Sequence, residues 1–167
     1  MKAYIIAVTL VAGMFTICGC AGYSDSPLYS ADIKSVYVEM FDNATFWRDF
    51  EYSLSDSLAK RIESETPYKI VSDKSKADTV ISGKITSVAN SSLTLERSTG
   101  RPLEQQAQLN ALFSWKNLKT GDYILENQSA GSVAAYSEFQ KQSFDSAATI
   151  AANKLATTIV EHMQTKW

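Results

Sequence analysis

Reactive side chains are few in this sequence and poorly placed for catalysis. Both cysteines, Cys18 and Cys20, lie in the first 20 residues, and the single histidine, His162, stands near the C-terminus. A structural zinc needs several Cys or His ligands, and a thiol nucleophile needs a base beside it. Beyond residue 20 the chain holds one His and no Cys, which rules out both of these and a disulfide framework in the folded part. Ser53, Ser55 and Ser57, and the pair Ser91 and Ser92, are not set in a G-x-S-x-G turn. Gly100, Gly121 and Gly131 form no phosphate loop. Glu63 and Glu65 read as the solvated face of a helix, and His162 as a cation suited to the negative end of one. The sequence therefore predicts a binding or structural module, not an enzyme, with no cofactor and no metal.

The chemistry that remains is at Cys20. Lys2 is the only charge before Asp25, and an apolar run from Ala3 to Ile17 follows it. Fifteen helical residues span roughly 22 Å, short of the roughly 30 Å hydrocarbon core of a bilayer. A positive start with a short apolar stretch is the pattern of an export signal. The segment Ile17-Cys18-Gly19-Cys20 resembles the bacterial lipobox. That resemblance makes residues 1–19 a signal peptide and Cys20 the lipidated first residue of the mature chain. Cys18 is the poorer acceptor, because it would place β-branched Ile17 beside the cleaved bond. Several acyl chains on one residue hold a protein firmly, since each buried methylene contributes about 0.8 kcal/mol. Ala21 is not the Asp that retains enteric lipoproteins at the inner membrane, which favours the periplasmic side of the outer membrane.

The elements that follow come from a chain of 167 residues and 18.4 kDa, enough for one domain. Sixteen Lys and Arg against 18 Asp and Glu leave a net charge of −2, and loss of Lys2 with the signal makes it −3. This is not the basic balance of a nucleic-acid binder. Residues 20–32 read as the lipidated Cys and a tether of small, turn-forming residues, and residues 33–167 as a single domain. Ile33 to Phe41 alternates as a strand. Phe50, Leu54, Leu58 and Ile62 form one stripe of a helix over Asp49 to Glu65, which Pro67 ends. Tyr68 to Val71 is a short accessory edge. A long strand begins at Asp78 and resumes at Leu93 and Leu95, with a bulge expected at Asn90-Ser91-Ser92. Two more strands, around Leu109–Trp115 and Tyr123–Gly131, are joined by a turn at Lys119-Thr120-Gly121-Asp122. Helical spacing returns from Ser143 to Met163. The predicted fold is α+β, with two helices packed on one face of a four-stranded mixed sheet in the order β-α-β-β-β-α.

Several of these segments match a known pattern. Cys20-Ala21-Gly22-Tyr23 is followed by Ile33-Lys34-Ser35-Val36-Tyr37-Val38-Glu39-Met40-Phe41-Asp42-Asn43, then a helix opening Phe50-Glu51-Tyr52-Ser53-Leu54. Ala77-Asp78-Thr79-Val80-Ile81-Ser82-Gly83-Lys84-Ile85 comes next. Together these resemble the lipopolysaccharide-assembly lipoprotein (LptE) family over residues 20–90, and beyond that in the strand–strand–helix order alone. The resemblance implies a non-enzymatic partner that sits inside the outer-membrane β-barrel LptD, which inserts lipopolysaccharide into the outer leaflet. It also implies lipopolysaccharide binding through basic residues on loops at one end of the sheet. Arg97 and Arg101 around Ser98-Thr99-Gly100, and Lys116 and Lys119 at the hairpin, are the candidates. Guanidinium and ammonium groups suit the phosphates of that lipid. Phe46, Trp47, Tyr136, Phe139 and Trp167 are aromatics that could face a barrel. The competing reading is a self-assembling or adaptor periplasmic lipoprotein of curli-secretion or Tol type, whose motifs Ala77–Gly83 also resembles.

Overall fold

The computed structural model describes residues 28–164. The expected signal peptide over residues 1–19, the expected lipidation site Cys20, and Trp167 lie outside the described residues. The elements in chain order are β1 (Ser35–Val38), β2 (Asp42–Asn43), α1 (Phe50–Glu65), β3 (Lys69–Ile70), β4 (Thr79–Leu95), β5 (Pro102–Asn117), β6 (Tyr123–Tyr136) and α2 (Phe144–His162). Short 3-10 turns at Lys74–Lys76 and Glu138–Gln140 precede β4 and α2.

The sheet is mixed but has six strands instead of the expected four, in the order β3-β1-β4-β5-β6, with β2 also paired to β4. Its chain order is β-β-α-β-β-β-β-α. The two additional strands are short and have separate causes. β3 is the accessory edge, paired in parallel with β1. β2 exists because the predicted Ile33–Phe41 strand breaks at Glu39 to Phe41. There the Phe41 ring turns into the core at 1 % exposure, and its N–H donates to Ser55 Oγ of α1 at 3.1 Å. Pairing with β4 resumes at Asp42. The predicted bulge is also displaced. Asn90, Ser91 and Ser92 pair without interruption to Ala107, Gln106 and Gln105, and the slips fall between Ile85 and Ser87 and on either side of Thr94. A side-chain bond from Asn90 Nδ2 to Gln105 Oε1, at 3.1 Å, spans the ladder in this polar stretch.

Both helices cover one face of the sheet. The α1 stripe Phe50, Leu54, Leu58 and Ile62 is buried as its four-residue spacing requires. The buried side of α2 is rich in alanine, with Ala148, Ala151, Ala152 and Ala156 beside Leu155 and Ile159. Small side chains there bring α2 close to α1 and to β5 and β6. Ser143 Oγ caps α2 by accepting from the Ser146 N–H at 3.2 Å. On β5 the odd residues Ala107, Leu109, Ala111, Phe113 and Trp115 point into this core. The even residues Gln106, Gln108, Asn110, Leu112 and Ser114 lie on the opposite, uncovered face with Lys84 of β4 and Ser129 and Val133 of β6, so that face is mainly polar with Leu112 and Val133 as apolar members. An antiparallel sheet with one packed and one polar face is the arrangement this alternation encodes.

Candidate functional site

β5 runs antiparallel to β4 and β6, so its two ends define the two ends of the molecule. At the basal end lie the starts of β1, β3, β4 and β6, the end of β5 and the last turn of α2. Here the chain also enters, with the Tyr29 ring packed edge-on to Tyr68 at 5.8 Å. At the far end β4 outruns its neighbours. After Ile85 it has no partner on the β2 side, and β6 accompanies β5 only as far as Gln105. The tip of the β4–β5 hairpin therefore projects as an arm.

The arm carries two arginines, matched in number by Glu96 and Glu104, beside exposed apolar side chains. Its turn closes through Glu96 N–H to the Arg101 carbonyl and Gly100 N–H to the Glu96 carbonyl, both 2.8 Å. Gly100 has φ +68°, a conformation that glycine adopts at little cost. Leu93, Leu95 and Leu103 are 50, 57 and 37 % exposed on its stem. Arg97 is exposed and makes no ion pair among the described residues. The Arg101 guanidinium stands 5.8 Å from the centre of the exposed Phe139 ring, which holds it loosely in place.

The two lysines sit at the other end. Lys119 Nζ is 2.6 Å from Asp78 Oδ1, and Lys116 Nζ stands 5.1 Å from the Tyr123 ring centre. Asp78 Oδ2 also accepts from the Lys34 and Ser35 N–H groups at 2.9 and 3.0 Å. This carboxylate thus ties the β5–β6 turn to the starts of β1 and β4. The Lys119 bond, then the Lys34 N–H, hold its carboxyl far below the ordinary carboxylate range, against the opposing effect of burial. Fifteen residue steps lead from Arg101 to Lys116, roughly 50 Å along β5. The four basic candidates therefore form two pairs at opposite ends and share no common site.

Because its native pKa is depressed, Asp78 stabilises the fold fully above its unfolded pKa near 4, and that contribution is lost as pH falls below this value. Asp78→Asn is expected to cost about 1–2 kcal/mol at pH 7. The gap to the parent protein should narrow steadily as pH falls from about 4 to pH 2, where the unfolded chain protonates while the native carboxylate still resists it. Urea midpoints measured across that range check this, and a gap independent of pH would refute it.

The family model described as LptE, lipopolysaccharide-assembly, matches residues 33–163. The chain belongs to the LptE family. A comparison with curated proteins gives no match. Among solved structures, lipoprotein B from Nitrosomonas europaea is similar at a TM-score of 0.53 with 14 % identity, covering 77 % of this chain and 81 % of that one. Rare lipoprotein B from Shewanella oneidensis gives 0.51 and 14 %, covering 78 and 93 %. A hypothetical protein from Chlamydia trachomatis gives 0.52 and 9 %, covering 78 and 95 %. At these identities the likenesses speak for the fold.

The LptE fold here carries no cluster of three or more His, Cys, Asp or Glu among the described residues. No described helix is long and apolar enough to cross a membrane. Of the aromatics singled out in the sequence, Phe46 is fully exposed, Trp47 leans on Phe144 with ring centres 4.5 Å apart, and Phe139 lies beside Arg101. Tyr136 is instead buried at 3 % exposure, its hydroxyl bonded to Gln105 Oε1 at 3.2 Å. Sequence reasoning missed the arm leucines. Their signal was the length of the alternating β4 and β5 segments, which exceeds what two helices can cover.

Proposed function

We propose that this LptE-family chain is an outer-membrane lipoprotein, anchored through lipids on Cys20, that fits inside an LptD-type barrel and assists lipopolysaccharide insertion. The observation that carries this reading is the division of the sheet into a helix-packed face and an uncovered, mainly polar one that also holds Leu112 and Val133. Gln106, Gln108, Asn110 and Ser114 on that open face suit the water-lined wall of a barrel lumen. An isolated protein gains nothing from covering them, whereas a lumen offers matching hydrogen-bond partners. The arm then meets the lipid. Arg97 and Arg101 suit the phosphates, and Leu93, Leu95 and Leu103 suit the acyl chains beside them. Lys116 and Lys119 would reach a phosphate only at the basal end, and Lys119 only by leaving Asp78.

The decisive experiment is purification of the tagged, membrane-extracted protein in mild detergent. An outer-membrane β-barrel should accompany it in equimolar amount. Recovery of the protein alone would overturn the reading, and a closed ring of identical copies would favour the self-assembling alternative.

A further inference from the structure

β6 forms one outer edge of the sheet, with β5 as its only strand partner. The direction of its backbone groups follows from the ladder. The Leu118 N–H, just beyond β5, donates to the Asp78 carbonyl, and Thr86 Oγ1 donates to the Asn110 carbonyl. The even residues of β5 therefore turn their backbone groups towards β4. The odd ones turn theirs towards β6, where Ala107, Leu109 and Ala111 oppose Ala134, Ser132 and Ala130. Backbone groups alternate along a strand, so Ser129, Gly131, Val133 and Ala135 direct their N–H and C=O groups away from the sheet. All four residues are exposed. Among the described residues one of these outward groups has a partner, the Val133 carbonyl, which accepts from Lys154 Nζ of α2 at 3.2 Å.

A long open edge is a template for another strand, and proteins blunt such edges with short strands, bulges, proline or charge. The opposite edge, β3, has only two residues, and the arm stretch of β4 slips on either side of Thr94. From Gln128 to Tyr136, β6 pairs with β5 without a slip. No charged residue and no proline lies between Glu126 and Glu138. Lys154 is the one guard of this edge. Its side chain is exposed and makes no ion pair among the described residues, so it is free to swing away.

We propose that β6 takes an added strand, an extended segment of the barrel partner with a carboxylate placed opposite Lys154. The barrel as source rests on the function proposed above, but the open edge does not. Main-chain groups of the segment pair with the outward groups of Ser129, Gly131, Val133 and Ala135. They displace Lys154 from the Val133 carbonyl, and the carboxylate gives the freed ammonium a new partner. Strands in a closed barrel wall are all paired already, so the segment is a loop or terminus folded into the lumen. A second copy fits less well. Pairing two β6 strands brings both Lys154 side chains to one seam, where like charges repel. A single strand also falls short of the roughly 20–30 residues a side that a stable interface buries. A segment tethered to a barrel around the domain needs no such area, because the tether keeps its local concentration high. The edge is also continuous, through Ser129 and Val133, with the open face proposed to lie against the lumen.

Hydrogen exchange, read residue by residue, compares the membrane-extracted complex with the unlipidated Cys20→Ser chain. In the isolated chain the Gly131 and Val133 amides should exchange fast, and those of Ala130, Ser132 and Ala134 slowly. In the complex the outward amides should slow by roughly tenfold or more, since opening must then break bonds to the added strand. Unchanged outward amides in a complex that contains the barrel overturn the added strand and leave the plug reading standing. Mass spectrometry of the same sample reports whether a barrel is present, and its absence overturns both. Slowing that grows with concentration in the isolated chain makes a second copy the occupant and overturns the proposal. Val133→Pro removes an outward N–H but no ladder bond to β5, so the fold should tolerate it. The barrel should leave this variant roughly tenfold faster, and an equal rate overturns the proposal. Should Val133→Pro lose its circular dichroism signal, Ala135→Pro nearer the strand end applies the same test. p-Benzoylphenylalanine placed at Ala135 should crosslink to one stretch of the barrel that contains Asp or Glu. Crosslinks to lipopolysaccharide, or to a stretch without either residue, overturn the assigned occupant.

Discussion

Charge reversal at both arm arginines, Arg97→Glu with Arg101→Glu, is expected to weaken lipopolysaccharide binding by roughly a hundredfold or more. A hydrogen bond to a charged group contributes about 1.5–3 kcal/mol, and removing two such bonds together corresponds to that factor or more. Reversal adds repulsion between each new carboxylate and the phosphates it faces. Fold stability should barely change, because both side chains are exposed and the substitutions disturb only the packing of Arg101 on the Phe139 ring. Such an exposed cation–π interaction contributes about 0.5–1 kcal/mol. The affinity of the parent protein should also fall with added salt, as expected for exposed charges. Lys84→Glu on the open face serves as the control for net charge. Binding assays with purified lipopolysaccharide decide the matter. Equal weakening in the double variant and the Lys84→Glu control would mean that the arm does not touch the lipid.

The largest expected loss of stability comes from a single methyl group. Gly83→Ala should cost about 3 kcal/mol or more, at or beyond the upper end of ordinary overpacking. A Cβ at Gly83 would lie 2.5 Å from the Leu112 carbonyl oxygen, 2.6 Å from Phe41 Cε1 and 3.0 Å from Phe113 Cα. Two of these three atoms are backbone of the neighbouring strand and cannot step aside. The third belongs to the ring whose inward turn splits β1 from β2. Relief at Gly83 would therefore require moving Phe41, which is fully packed under α1. Gly131→Ala makes an informative contrast. Its close neighbour at 2.6 Å is Asn110 Oδ1, the end of a side chain that can rotate, and its cost should stay within about 1 kcal/mol. Urea denaturation followed by circular dichroism measures both. A Gly83→Ala protein as stable as the parent would show that the β2 corner is not tightly packed.

These two results bear on different layers of the molecule. Loss of the Gly83 notch removes the corner that lets Phe41 seat α1, so it acts on the whole fold. Loss of the arm charges leaves the fold intact and acts only where a partner would touch. The Asp78 junction lies between them, since it ties down the basal end through Lys119 and the Lys34 and Ser35 N–H groups without reaching the arm. A variant set that separates these three effects would separate folding from function in this family member.

Much of this was legible in the residues themselves. The four-residue spacing of Phe50, Leu54, Leu58 and Ile62 gave α1 and its buried face, because a helix repeats every 3.6 residues and apolar side chains seek cover. Alternation around Phe113 and Trp115 gave β5 and its inward side for the same reason at period two. The family was readable from the order of the Ile33–Asn43 and Ala77–Ile85 segments. Tertiary structure alone decided the rest. Phe41 leaves the strand only because Ser55 and the Gly83 notch meet it from elements far along the chain. Tyr136 is buried where its ring meets Phe144 and its hydroxyl donates to Gln105, 31 residues away. The arm projects only because β2 and β6 stop short of it, and the two basic pairs fall at opposite ends because β5 runs the full length between them. Local periodicity carries information about a residue and its near neighbours. Which distant surface a side chain meets, and how far apart two loops stand, is set by the register of strands that the sequence brings together only on folding.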